Sequence, residues 1–341
     1  MAKKVVTLGE VMMRLSTSDY KRFVQVESFD VTYGGGEANV AVALSNYGLR
    51  STFVTKVPDN PIGQSAINHI RRFGVDVSAI ALGGNRLGIY FLETGASMRA
   101  SQVIYDRIGA SISEADPTEF DFDAIFQDVS WFHTTGITPA LSAKAAELTE
   151  FALITAKKKG ITTSIDLNYR KKLWSKEKAR EIMSRLCQYV DVCIGNEEDA
   201  ETTLGFKPSN TNIAKGTLSL DGYKDVFHQM KEKFDFKIIA SSLRESFSAS
   251  DNGWSALIYD GDTFHHTQKY NVRIIDRVGS GDSFASGLIY GLISGMSAAD
   301  AAEFGVAASA LKHTIPGDFN HATLNEVLTL MKGDSSGRVQ R

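Results

Sequence analysis

The chain has 341 residues, 43% apolar and 23% charged, a globular composition that excludes a disordered protein. A formal net charge of −3 offers no field to draw nucleic acid or an anionic membrane, so any anionic ligand must be held by local donors. No window approaches the roughly 18 apolar residues that cross a bilayer, and the opening MAKKVVTLGEVMMRL is too interrupted for a secretory leader. The two cysteines, Cys187 and Cys193, read as buried reduced thiols, so a cytoplasmic protein is expected.

In chain order, β-branched runs at 5–8, 52–57, 129–133, 162–166, 190–194 and 237–240 alternate with helical patterns at 37–47, 63–73, 142–159, 176–188 and 223–233. That alternation predicts an α/β fold, a three-layer sandwich with a mainly parallel central sheet covered on both faces. A β stretch at 255–259 leads into helical patterns at 281–296, 298–313 and 324–331, and the polar tail 334–341 is expected to be disordered. Residues 11–33 and 86–108 break the rhythm. Their period-two stretches, 86–93 and 102–107 among them, predict a small antiparallel sheet with polar residues on one face, inserted as a flap into a single domain spanning 1–333. His133 reads as a core residue, and the adjacent His265 and His266 lack metal-ligand spacing.

The stretch IIDRVGSGDSFASGLIYGLISG, residues 274–295, carries the clearest chemistry. Gly279, Ser280 and Gly281 lead directly into an apolar helix, and free amides at a helix start bind anions. Asp282 stands in the first turn beside them, pairing a carboxylate with an anion hole as phosphoryl transfer to a hydroxyl requires. The plainer alternative is a capping carboxylate. An aspartate at its ordinary pKa of about 3.9 is a weak base that accepts the proton late. Gly287, Gly291 and Gly295 recur every four residues, which implies close approach of another backbone or a flat ligand. No Gly-Lys dipeptide supports a Walker A loop, and Phe284 breaks a dinucleotide fingerprint, which disfavours an NAD-dependent oxidoreductase. A second cluster, Gly34, Gly35 and Gly36, opens the helix carrying Asn39, whose amide suits sugar hydroxyls; three glycines in a row suggest a ligand close to the backbone.

The glycine cluster with Asn39, followed at this separation by DRVGSGDSFASG, resembles the two signatures of the ribokinase-like (PfkB) carbohydrate kinases, over nearly the whole chain. The resemblance implies a ribokinase-like fold with a β lid over the substrate, Asp282 as catalytic base, and an anion hole from Gly279, Ser280 and Gly281. It also implies ATP and Mg²⁺ as cofactors, with nucleotide contacts from Asn196, Ser242, Arg244, Gly279 and Gly281. Glu197 and Asp199, in GNEEDA, resemble the family's element near Mg²⁺, acting indirectly, with Asp199 standing where Glu is usual; the same residues also read as an ordinary acidic helix start. Arg277, Pro58 and the glycine-poor loop after residue 240 depart from the family pattern.

Within the family, Tyr90, Tyr105 and Arg107 on the flap, Asn168 and Arg170 in DLNYRKKLW, and Asp318 in IPGDFN resemble the substrate residues of 2-keto-3-deoxygluconate kinases, with Gly34 and Gly35 beneath them. A sugar acid's carboxylate suits bidentate arginine. Expected is therefore phosphorylation of 2-dehydro-3-deoxy-D-gluconate at O6. The alternatives are a fructokinase or other keto-sugar kinase, and a catalytically idle sugar-binding regulator. The lid also implies pairing with a second subunit.

Overall fold

The computed structural model describes residues 2–208 and 220–334, so most of the tail expected to be disordered lies outside the described residues. Fourteen strands are described: β1 Lys4–Leu8, β2 Met12–Ser16, β3 Asp30–Gly34, β4 Arg50–Val57, β5 Ile80–Leu82, β6 Gly88–Glu93, β7 Gln102–Asp106, β8 Val129–Thr135, β9 Thr162–Asp166, β10 Val192–Ile194, β11 Ile238–Ser246, β12 Asp251–Tyr259, β13 Phe264–His266 and β14 Tyr270–Arg273. Ten form one sheet in the order β13-β12-β11-β10-β9-β8-β1-β4-β5, with β14 also on β12. From β5 to β11 every pairing is parallel, and β12, β13 and β14 add an antiparallel edge.

Alternate residues of these strands bury into different helical layers, which is why the runs read as continuously apolar. Val6, Phe132, Ile165 and Cys193 face helices Ala143–Lys158 and Lys176–Leu186, whereas Val5, Trp131, Val192 and Ala240 face helices Gly36–Asn46, Ser280–Ile293 and Ala298–Lys312. Caps fix several helix starts: Ser142 Oγ accepts from the amide of Ala145, and Asn60 accepts from Ile62 and Gly63 ahead of helix Pro61–Arg71. His133 is fully buried with Nδ1 2.8 Å from Ser164 Oγ, and burial pushes its pKa down to about 3, so it stays neutral in the core. Both cysteines are buried free thiols.

The glycine spacing in helix Ser280–Ile293 is settled by packing. A Cβ on Gly287 would lie 2.6 Å from the Cα of Gly305, and one on Gly291 would lie 2.6 Å from the Cα of Ala301. Two helix backbones touch there, and no flat ligand enters. Gly295 belongs to a different device: at φ +86° it ends the helix in the left-handed conformation.

Two expectations change. The segment after residue 240 is no loop: β11 runs on to Ser246 and turns back into β12 as a hairpin, its polar side chains facing solvent beyond the helical layers. The flap, order β3-β2-β6-β7, is mixed, because its two hairpins meet through the parallel pair β2–β6 after a long excursion of the chain through β4 and β5. Its polar face (Arg14, Thr32, Tyr90, Tyr105) is the inner one. The outer face is an apolar row across all four strands, Val31–Leu15–Phe91–Ile104, with Val31 54% and Ile104 52% exposed. The flap loop meets the β11–β12 turn through Ala249 N–H donating to Ser97 O at 2.7 Å and Ser97 N–H donating to Ser250 Oγ at 2.9 Å.

Candidate active site

The carboxyl ends of β1, β8, β9 and β10, the first turns of helices Gly36–Asn46 and Ser280–Ile293, and the inner face of the flap enclose a cleft of about 970 Å³. From β1 the chain moves one way along the sheet through β4 and β5, then continues on the other side from β8. Such a reversal is where open α/β sheets bind ligands. A smaller hollow of about 450 Å³, around Lys4, Arg50 and Asp76, lies at the opposite end of β1 and holds none of this chemistry.

Asp282 sits at the heart of the cleft. Asn39 Nδ2–H donates to its Oδ2 at 2.6 Å, joining the first turns of the two glycine-led helices. Gly279 caps the helix at φ +80°, and a side chain there would collide with the carbonyl of Asp318, so glycine is demanded twice over. The amides of Gly279, Gly281 and Asp282 have no partner among the described residues, whereas Ser280 N–H is turned onto Arg277 O at 3.3 Å. Gly281 is exposed to the cleft with open space where its Cβ would stand. Open backbone donors therefore stand at this helix start, most freely at Gly281 and Asp282. The ordinary pKa expected of Asp282 is corrected: desolvation by the cleft walls raises it to about 6, against the pull of the Asn39 hydrogen bond and Arg170. Asp282 is thus a better base than its type suggests.

The glycines at 34–36 divide their roles. Gly34 is filled from behind by the Asp318 carboxylate and Gly35 by the carbonyl of Glu10, so their smallness serves packing of the protein on itself, in place of the ligand expected there. Gly35 still borders the cleft, and Gly36 stands 3.5 Å from Asp282 Oδ1 measured from its would-be Cβ.

On the flap, Tyr90 and Tyr105 are cross-strand partners with ring centroids 5.9 Å apart, and both line the cleft. Tyr90 O–H is already given to Asp318 at 2.6 Å, and Asp318 also accepts from Arg14 Nη1 at 2.8 Å, so Asp318 anchors the flap instead of standing open to substrate. Arg107 is not an open lid cation either. It lies just past the end of β7, is 6% exposed, and is neutralised by Glu10. Tyr105, 39% exposed, presents its ring to the cleft with the Arg107 guanidinium 5.3 Å from its centroid.

Across the cleft, the loop after β9 carries Asn168, held at φ +37°, and Arg170, half-buried with Nη1 donating to its neighbour Tyr169 O at 3.0 Å. Asp199 holds this loop from below, accepting from Tyr169 N at 2.9 Å, while its own amide donates to Asn196 Oδ1 at 2.8 Å. The acidic helix start and the expected element are thus one object: Asp199 positions the Arg170 loop, while the exposed Asn196 and Glu198 border the cleft. Glu197 opens this turn, and its side chain lies outside what the structure describes. Ser242 and Arg244 on β11 border the same cleft beside Arg277, whose pKa is lowered by desolvation and then by Arg244.

Several site residues escaped the sequence reading. Arg14 bridges Asp276, at 2.6 Å, and Asp318, tying the flap to the two loops that flank Gly279. Glu37 accepts from Thr135 N–H, Thr135 Oγ and Thr138 Oγ, and burial raises it to about 7. Asp166 ends β9 in the cleft floor, pushed well above the usual range by burial, then by Asp199 and Asp282. One signal was present: Arg14 falls on the buried phase of β2, between Met12 and Ser16, where a charge demands a partner.

With this geometry in view, the comparisons agree. Residues 2–321 match the model of the pfkB family carbohydrate kinases. A 2-dehydro-3-deoxygalactonokinase of Haloferax volcanii is 34% identical over 338 residues, 99% of each chain. A 2-dehydro-3-deoxygluconokinase of Bacillus subtilis is 28% identical over 326 residues, 95% of this chain and 93% of its own. The crystal structure of a 2-dehydro-3-deoxygluconokinase from Thermotoga maritima, 48% identical, superposes with a TM-score of 0.93 over 98% of this chain and 99% of its own. The chain belongs to the pfkB family of carbohydrate kinases.

Proposed function

We propose that the protein phosphorylates 2-dehydro-3-deoxy-D-gluconate at O6 with ATP, with Asp282 as the base. The observation that carries this reading is the meeting, in one cleft, of Asp282, the unpartnered amides of Gly281 and Asp282, and the Arg170 guanidinium. The sugar acid lies under the flap between Tyr105 and the Asn168–Arg170 loop. Arg170 receives its carboxylate, since Arg107 is already paired with Glu10. The O6 proton passes to Asp282 as the O6–P bond forms and the bond from the γ-phosphorus to the ADP oxygen breaks. Meanwhile the helix-start amides take up charge on the transferring group.

Nucleotide at the far end of the cleft is supported by groups that lack partners. Asn252 is 1% exposed with both side-chain polar atoms unbonded, and Trp254 Nε1 is likewise unbonded, next to the cations Arg244 and Arg277. For Mg²⁺, the described residues include no cluster of three metal-ligating side chains. The crowding of Asp166, Asp199 and Asp282 suits a cation delivered on the nucleotide phosphates, with Asp166 and Glu198 at hand through water. When bound, such a cation would offset the phosphate charge, held through water by Asp166 and Glu198. We also propose that the apolar outer face of the flap pairs with a second copy of the chain. Among the described residues no helix is long and apolar enough to cross a membrane, and two free thiols support a cytoplasmic setting.

The galactonate-derived epimer is the second reading, favoured by the Haloferax relative. ADP release measured across both sugar acids, fructose and ribose tests the proposal. Higher kcat/KM for the gluconate-derived acid is expected. Faster turnover of neutral sugars would overturn it, and no ADP with any sugar would leave the idle regulator.

A further inference from the structure

The turn at the tip of the flap, between β6 and β7, is braced from within. Ala96 and Arg99 exchange both backbone hydrogen bonds at 2.9 Å, and a side chain on Gly95 would collide with the Arg99 carbonyl. Arg99 Nη1 donates to Glu93 at 2.9 Å and Nη2 to Tyr20 O at 2.8 Å, fixing the turn to the rest of the flap. Ser97 at the apex stands at φ +52°, a left-handed conformation uncommon for a residue with a side chain. In that conformation both its backbone groups meet the β11–β12 hairpin. Ser97 N–H donates to Ser250 Oγ, and Ser97 O accepts from Ala249 N–H. The hairpin turn is equally set, since Ser248 Oγ accepts from the amides of Ser250 and Asp251, each at 3.0 Å. Ser250 O accepts in turn from Ile274 N–H at 2.7 Å, in the segment that leads to Gly279. These two turns are the tips of the walls that flank the cleft, the flap carrying Tyr90 and Tyr105 and the hairpin carrying Arg244, Asn252 and Trp254. Their meeting is small and wet: Ser97 and Met98 are exposed, and Ala249 and Ser250 are half-buried. Hydrogen bonds open to water contribute little net, so the contact breaks and re-forms without unfolding either turn.

We propose that this contact is a latch linking the two ends of the cleft, through which nucleotide on the hairpin side tightens binding of the sugar acid under the flap. The two states are the flap latched and unlatched. The sugar acid gains Tyr105 only when the flap is down, and nucleotide phosphates on Arg244 and Arg277 steady the hairpin to which the flap fastens. Each ligand therefore favours the latched state, and the coupling is reciprocal. The latch opens to exchange ligands and touches no reacting atom.

This inference rests on the kinase reading, and ADP release by the wild-type enzyme separates the two failures: no ADP with any sugar defeats that reading, whereas the outcomes below concern the latch alone. The wild type is titrated with 2-dehydro-3-deoxy-D-gluconate in a calorimeter, with and without Mg²⁺ and the non-transferable β,γ-imido analogue of ATP. The sugar-acid Kd is expected to be roughly 5- to 50-fold lower with the analogue, within the usual range of coupling between sites. Ala249→Pro combined with Ser250→Ala removes both hydrogen bonds and should bring that ratio to within about twofold of unity. Ser97→Cys combined with Ser250→Cys tests the same latch if that variant does not fold, the two native thiols being buried. Oxidised by diamide to a disulfide, it should lose the analogue's effect on the sugar-acid Kd. Its kcat should also fall about tenfold or more, because the latch can no longer open, and dithiothreitol should restore both. A wild-type ratio near unity, an unchanged ratio in the first variant, or full kcat in the oxidised pair contradicts the proposal.

Discussion

At Asp282 two influences oppose each other. Desolvation raises the carboxyl to about 6, while the amide of Asn39 and the charge of Arg170 hold it from rising further. A base acts only when unprotonated, so kcat/KM should climb with pH through about 6 and level off above it, activity being lost on the acid side. Asn39→Ala removes an N–H that favours the carboxylate, so the acidic limb should move to higher pH; a pH–rate profile that stays in place or moves lower contradicts the assignment. Asp282 and Asn39 were legible in the sequence because each stands in the first turn of a glycine-led helix. Arg14 was not, because its partners Asp276 and Asp318 lie 262 and 304 residues away. Arg107 was legible as a site residue and misjudged in environment, since nothing in its neighbourhood announces Glu10 as its partner.

Among the elements, the parallel strands and their covering helices were readable from period and length; most boundaries shift by only a few residues, and Thr162–Asp166 and Leu324–Met331 fall where expected. The β11 extension was hidden because a polar antiparallel hairpin is carried by backbone hydrogen bonds and leaves no apolar signature. The flap was recognisable by alternation, but alternation does not say which face turns inward. Here the polar face meets the cleft, and the row Val31–Leu15–Phe91–Ile104 is left outside, the kind of patch that marks an association surface. Light scattering should find the wild type as a dimer or larger. The double change Val31→Asp with Ile104→Asp should yield monomer, with the flap still folded by circular dichroism. A wild-type monomer at micromolar concentration contradicts the pairing.

At the scale of the molecule, one sheet gathers loops from distant parts of the chain at its carboxyl ends, and a four-stranded flap closes them over. Arg14 and the Ser97–Ser250 contact tie that flap to one catalytic floor. The substrate's identity is the part least visible in either sequence or fold, because gluconate- and galactonate-derived acids present the same carboxylate and the same terminal hydroxyl. The proposed chemistry is common to both, and the proposal rests on Asp282. Turnover of Asp282→Asn by ADP release, alongside binding of the sugar acid to the same variant, tests it most directly. A fall of roughly 10²–10⁴ in kcat with sugar-acid binding kept is predicted, and a variant that turns over at close to the wild-type rate would contradict it.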